Sequence, residues 1–228
     1  MHWDESKLLI NYQQVLQALD AANQAADRKS PAGLLAVSKT KPAAMIRALY
    51  EAGQQDFGEN YLQEALGKID ALNDLPITWH YIGSIQRNKT RDIAKYFDWV
   101  HTIEREVIAK RLNEQRAGLP PLNVLIQVNI DDEDSKSGCL PDELPSLISS
   151  MLGYENLCLR GLMVIPDKAG SDAFVRTKAL FDAMAERFKL PQWDSLSMGM
   201  SGDMAEAVVN GSTMVRVGTA IFGAREYA

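Results

Sequence analysis

Apolar side chains recur at helical spacing near the start of the chain, at Leu8, Leu9, Tyr12, Val15, Leu16, Leu19 and Ala22, which predicts an amphipathic helix over residues 5–27. The run Ser30-Pro31-Ala32-Gly33 breaks it. Beyond the break, short apolar runs alternate with longer amphipathic segments. The runs predict strands over 33–39 (GLLAVSK), 54–60, 77–84, 99–103, 122–130, 158–166, 194–200 and 212–218. The segments between them predict helices over 43–52, 61–72, 86–97, 104–117, 141–152, 172–189 and 203–210. Pro42 suits the first turn of the helix it precedes. Ser201 is read as the cap that starts the last of these helices, and Gly211 as its end.

Strands that alternate with helices pair in parallel through crossovers. Eight such steps in 228 residues predict an α/β fold: a single (β/α)8 TIM barrel spanning residues 1–228, with an extra helix at the N-terminus. The rival is an open doubly wound sheet. Its G-x-G-x-x-G fingerprint after the first strand is absent.

Composition narrows the function classes. The chain is 46% hydrophobic, enough for one sizeable core. Net charge is −6 and the basic residues are dispersed, so no basic stripe offers a nucleic-acid footprint. Cys139 and Cys158 make neither a disulfide framework nor a zinc motif, and no metal site is expected. The first residues, MHWDESKLLINYQ, carry acids where a signal peptide has a basic start. No apolar run is long enough to span a bilayer. These features predict a soluble cytoplasmic protein that engages neither nucleic acid nor membrane.

In a barrel of this type the chemistry lies at the C-terminal ends of the strands. The first strand stops on Lys39, a residue type that is almost never fully buried without a reason. Ser201-Gly202 after the seventh strand and Gly218-Thr219 after the eighth sit where barrels often bind phosphate, and GTAIFG can form one short helical turn with free N–H groups. A lysine beside such a cup can form a Schiff base with a carbonyl, and burial would free its amine for attack. Without the cup, Lys39 reads as a surface lysine, as does Lys41 beside the helix-starting proline. Strand alternation puts Arg216 on the same face as Gly218. Arg216 is either a structural ion-pair partner at the rim or a donor to a ring nitrogen, as in pyridoxal phosphate enzymes. The remaining candidates each carry an ordinary alternative: His80 as a core histidine, Asn60 as a helix cap, Met163 as core, Lys136 as a solvated loop lysine that can still reach the mouth as a second amine. Asp131-Asp132-Glu133-Asp134 reads as a solvated loop.

Taken together, the stretches LLAVSKTKP, DFGENYLQEA, WHYIGSIQRNK, VLIQVNI, SKSG, RGLMVIP, LSMGMSGDMAEAV and GSTMVRVGTAIFGAR make the chain resemble the pyridoxal phosphate homeostasis proteins, small barrel relatives of the alanine racemase N-terminal domain. The resemblance covers nearly the whole chain. It implies that Lys39 carries pyridoxal 5′-phosphate (PLP) as a Schiff base. It also implies that Ser201, Gly202, Gly218 and Thr219 hold the phosphate, that Arg216 faces the pyridine nitrogen, and that Asn60, His80 and Met163 line the ring. Gly202 departs from the pattern, since the family often has a bulkier, frequently acidic residue there; a backbone N–H contact survives that change. The implied function is PLP binding, buffering and delivery to PLP-dependent apo-enzymes, influencing amino acid and keto acid metabolism without robust catalysis. No catalytic residue is implied, and a monomer is expected. The alternatives are a PLP-dependent racemase-like enzyme and a cofactor-free Schiff-base aldolase. The first would need a second base on the far face of the cofactor. The second would need an acid or base near Lys39 and a colourless protein.

Overall fold

The computed structural model describes residues 3–133, 135–167 and 172–224. Its strands are β1 (Gly33–Val37), β2 (Asp56–Glu59), β3 (Thr78–Tyr81), β4 (Trp99–Ile103), β5 (Leu122–Gln127), β6 (Leu157–Met163), β7 (Ser195–Ser197) and β8 (Met214–Val217). Each pairs in parallel with its sequence neighbour, and β1 closes on β8 through Gly33–Met214 to Ala36–Val217. Helices α1 (Glu5–Ala25), α2 (Ala43–Glu51), α3 (Leu62–Ala71), α4 (Thr90–Tyr96), α5 (Glu106–Gln115), α6 (Leu144–Met151), α7 (Ala173–Phe188), α8 (Met204–Val209) and α9 (Thr219–Phe222) complete the chain. The molecule is the (β/α)8 barrel the alternation predicts.

Most strands are shorter than their apolar runs. Ladder bonds form only where neighbouring strands lie side by side, and the runs continue past that point as buried loop walls. β1 therefore ends at Val37, and Lys39 lies in the loop beyond it. The helix predicted over 86–97 is split: Arg87–Lys89 form a 3-10 turn, whose Arg87 carbonyl accepts from the Thr90 hydroxyl where α4 begins. Ser201 does not cap the helix after β7. That position belongs to Asp203, whose carboxylate accepts the Met200 N–H instead.

α1 lies against α2, α8 and α9, burying Leu8, Tyr12, Val15, Leu19 and Ala22. The Asn23 amide grips both the N–H and the carbonyl of Ala32, fixing the approach to β1. The main core fills the layer between strands and helices, with Phe57, Trp79, Ile103, Val124, Ile126 and Leu162 among its members. Residues alternating with these point into the barrel, except in β4, where the register shift between Val100 and Ile103 breaks the alternation and leaves His101 inside. Two irregularities shape that interior, the first being this shift of the β4–β5 register. The β5–β6 register shifts between Val124 and Leu125, and Gly161 takes φ +149°. A Cβ on Gly161 would lie 1.9 Å from the Ser195 carbonyl oxygen. Gly161→Ala is therefore expected to cost at least about 2 kcal/mol in denaturant unfolding, from backbone strain and overpacking together. Among the described residues, no helix is long and apolar enough to cross a membrane, and no cluster of His, Cys, Asp and Glu could hold a metal ion.

Candidate functional site

The loop after β1 is pinned from below. The Ser38 N–H continues the ladder to the Gly58 carbonyl at 3.0 Å. The Ser38 hydroxyl donates to Glu59 Oε1 at 2.6 Å. Lys68, on α3, reaches up to donate to the Ser38 carbonyl at 2.8 Å and to Glu59 Oε1 at 2.7 Å. Lys68 also meets Glu64, which accepts the Thr40 N–H at 2.6 Å. Both chain neighbours of Lys39 are thus tied to one largely buried ionic cluster, and Thr40 is held at φ +65°. Burial pushes the Glu59 carboxyl upward, with Lys68 and Ser38 opposing. Lys39 itself is half-buried. Lys41 sends its amine to the Ala224 carbonyl at 2.8 Å.

The opposite wall is built by the end of β8. Gly218 stands at the start of α9, with Thr219 next on the surface. A Cβ on Gly218 would sit 3.2 Å from the Val37 carbonyl oxygen, so the missing side chain lets the two strand ends close. A cavity of about 30 Å³ joins them, lined by Val37, Lys39, Lys41, Gly218, Thr219 and Phe222. It is water-sized. Ser201 belongs to an adjacent hollow of about 220 Å³, shared with Val217, Ala220 and the face of α1. Gly202 is exposed, with open space where a Cβ would project, so packing does not demand glycine there.

Beneath the mouth, Arg216 is buried. It donates from Nη1 to the Ser197 hydroxyl at 2.8 Å and from Nη2 to the Val164 carbonyl at 2.9 Å. Burial lowers its pKa to about 10, which still leaves the guanidinium charged at neutral pH. Met163 is paired in register with Ser197 and therefore shares its inward face. Asn60 is half-buried, and its Oδ1 is buried without a hydrogen-bond partner among the described residues.

Two sequence candidates stand apart from this group. His80 is fully buried inside the barrel, stacked on Trp99 with ring centroids 5.4 Å apart. Its Nε2 lies 2.9 Å from Asp56, the first residue of β2, and its Nδ1 lies 2.9 Å from His101 Nε2. Lys136 is not solvated: its amine sits 3.6–3.8 Å from Asp131, Glu133 and Asp167. Asp131 is correspondingly no free loop acid, since Arg176 also pairs with it, whereas Asp134 lies outside the described residues. Sequence reasoning passed over His101, Ser197, Asp56 and the Glu59–Lys68 pair. The signal available for the first two was position: His101 stands two residues after Trp99 on β4, and Ser197 stands four residues before Ser201 on a strand that ends at the mouth.

The model of the alanine racemase N-terminal domain matches residues 10–226. The chain is 52% identical to the pyridoxal phosphate homeostasis protein of Pseudomonas aeruginosa, over 97% of each chain. It is 53% identical to the protein of the same name from Escherichia coli K12, over 86% of each. Among solved structures it superposes on PipY of Synechococcus elongatus with PLP bound, at a TM-score of 0.76 and 34% identity, over 90% of this chain and 100% of that one.

Proposed function

This chain belongs to the pyridoxal phosphate homeostasis proteins, within the alanine racemase N-terminal domain family, and on that premise we propose that it binds PLP through Lys39 and serves as an intracellular reservoir that releases the cofactor to apo-enzymes. The observation that carries the reading is the shared cavity of Lys39, Gly218 and Thr219 above the buried Arg216. The residues fit the group. Backbone N–H groups at a glycine turn suit a phosphate, the unpaired Asn60 Oδ1 calls for a donor, and Arg216 supplies a buried cation below.

When bound, PLP supplies an aldehyde that forms a Schiff base with an amine and a pyridine ring that can draw electrons. Lys39 would provide the amine, presented in one place because Ser38 and Thr40 are anchored. Ser201, Gly202, Gly218 and Thr219 would hold the phosphate. Asn60 and Met163 would line the ring. His80, both of whose nitrogens are engaged, would contribute surface rather than a donor. Arg216 would face the pyridine nitrogen. A guanidinium donates and does not give up its proton, so that nitrogen would stay unprotonated and the ring would stabilise carbanions poorly. Holding and releasing the cofactor then suits the site better than turnover. Lys136 would be a second amine near the mouth, and reaching the cofactor would require it to leave its three carboxylates. We take the monomer as the working unit.

The test is a visible spectrum of the purified protein, followed by borohydride reduction and peptide mapping. A yellow protein whose reduced adduct lies on Lys39 is expected. A protein that stays colourless after incubation with PLP sinks the proposal.

A further inference from the structure

Polar side chains from β2, β3, β4, β7 and β8 touch end to end across the barrel interior. Asp56 Oδ1 meets His80 Nε2 at 2.9 Å, His80 Nδ1 meets His101 Nε2 at 2.9 Å, and His101 Nδ1 meets the Ser197 hydroxyl at 2.9 Å. Arg216 Nη1 closes the series on Ser197 at 2.8 Å. His80, His101 and Ser197 are fully buried, whereas the Asp56 side chain is 43% exposed. The series therefore runs from solvent near the N-terminal end of β2 to a guanidinium under the opposite mouth.

The direction of every bond follows from chemistry. An ionised carboxylate only accepts, so His80 Nε2 must carry the proton. Burial disfavours the charged form of both rings and holds both pKa values below the ordinary histidine value. The charged groups around the pair are Asp56 and Asp98 beside His80, and Arg216 beside His101. A neutral His80 with its proton on Nε2 accepts at Nδ1, so His101 must donate from Nε2. A neutral His101 then accepts at Nδ1, so the Ser197 hydroxyl donates to it. The Ser197 oxygen is left with lone pairs only, and Arg216 donates into them. No bond in the series competes with another, and both ends are ions of opposite sign.

We propose that Asp56, His80, His101 and Ser197 form a one-directional hydrogen-bond relay that positions Arg216, so that the cation set against the cofactor ring is oriented from the far end of the barrel. The proposal rests on the reading above, in which Arg216 faces the ring nitrogen. Ser197 and the Val164 carbonyl take one donor from each terminal nitrogen of the guanidinium and so fix its plane. Its other donors remain for a ligand, since arginine has five in all. These are positioning residues. Asp56, His101 and Ser197 need not touch PLP, and His80 acts here through its two bonds rather than through its ring surface. A fully satisfied network of this kind specifies one arrangement in a space that apolar side chains could otherwise fill.

Two measurements test it. The first needs no cofactor: 15N-edited NMR of the histidine rings at neutral pH, in a chain with three histidines in all. His80 and His101 are both expected neutral with the proton on Nε2; an Nδ1–H tautomer or an imidazolium at either ring overturns the relay. The second compares wild type, Ser197→Ala and Ser197→Thr after loading with PLP. Alanine removes both the acceptor for Arg216 and the donor to His101. It is expected to shift the visible band and to speed PLP dissociation about fivefold, the effect of one net hydrogen bond. Threonine keeps the hydroxyl and is expected to restore both. If all three proteins share one spectrum and one rate while reduced PLP maps to Lys39, the relay is overturned and the binding reading stands. If wild type gives no Lys39 adduct, the binding reading falls and takes the relay's purpose with it, whatever the tautomers.

Discussion

Lys39→Ala is expected to lose the visible band of the PLP-loaded protein and every borohydride-stable adduct. The prediction is stringent because other lysines are near. Lys41 lines the same cavity, but its amine is bonded to the Ala224 carbonyl. Lys68 lies beneath the loop with its amine shared among Ser38, Glu59 and Glu64. Lys136 is held among three carboxylates. Lys39 is presented at the mouth between two anchored neighbours, Ser38 and Thr40. The phosphate contacts would survive the substitution, so weak, reversible PLP binding is expected to remain, readable by equilibrium dialysis. Intact-mass spectrometry after reduction checks the main point. An adduct of full stoichiometry on another lysine would show that the anchoring of Lys39 does not confer its selectivity.

Lys68→Met should produce the largest loss of stability, about 3–5 kcal/mol at neutral pH, because removing one partner strands a buried charge. The stranded group is Glu59, with no exposed surface and with its second oxygen, Oε2, already unpaired among the described residues. Methionine keeps most of the apolar stem, so the loss reports the ammonium. The pH dependence follows from the direction of the shift. Burial raises the Glu59 carboxyl above its ordinary 4.5, with Lys68 as the largest opposing influence. A raised folded-state pKa means that the folded protein holds this proton more tightly than the unfolded chain. The contribution is favourable below the unfolded value and is lost as pH rises through the folded one. Without Lys68 that folded value climbs further. The deficit of the variant relative to wild type should therefore be small near pH 4 and complete near pH 8. Urea unfolding at the two pH values measures it. A deficit that does not change with pH would mean that Glu59 is not the ionised partner. Because the Ser38 carbonyl loses its donor and Glu64, which holds Thr40, loses its partner, the variant should also bind PLP more weakly.

Much of this site was legible along the chain. Lys39, Gly218 and Thr219 each sit just past a strand whose apolar run is plain, and the barrel rule says that such positions share a mouth. The structure brings those three to one cavity. Arg216 was readable from alternation, two residues before Gly218. His80 and Lys136 show where such reading stops. Each was recognisable as chemistry-bearing, but nothing beside them in sequence says that one bonds to Asp56 and the other sits among Asp131, Glu133 and Asp167. Ser201 was placed correctly near the mouth yet misread as a cap, because a serine and an aspartate two residues apart are both good cap residues and only the backbone decides between them.

By itself the sequence determined the alternation of strands and helices, and with it a parallel barrel, the end of that barrel where chemistry belongs, and the strand ends that carry lysine, arginine and glycine. Periodicity is local, and eight local steps suffice to name the closed topology. Only the tertiary structure decided which polar groups meet. His101 and Ser197 are 96 residues apart along the chain, Arg216 and Val164 are 52, and Ser38 and Glu59 are 21. A hydrogen bond needs its partners within about 3 Å and aligned. That condition depends on strand tilt, register and the bulge at Gly161 acting together, and no single segment encodes it.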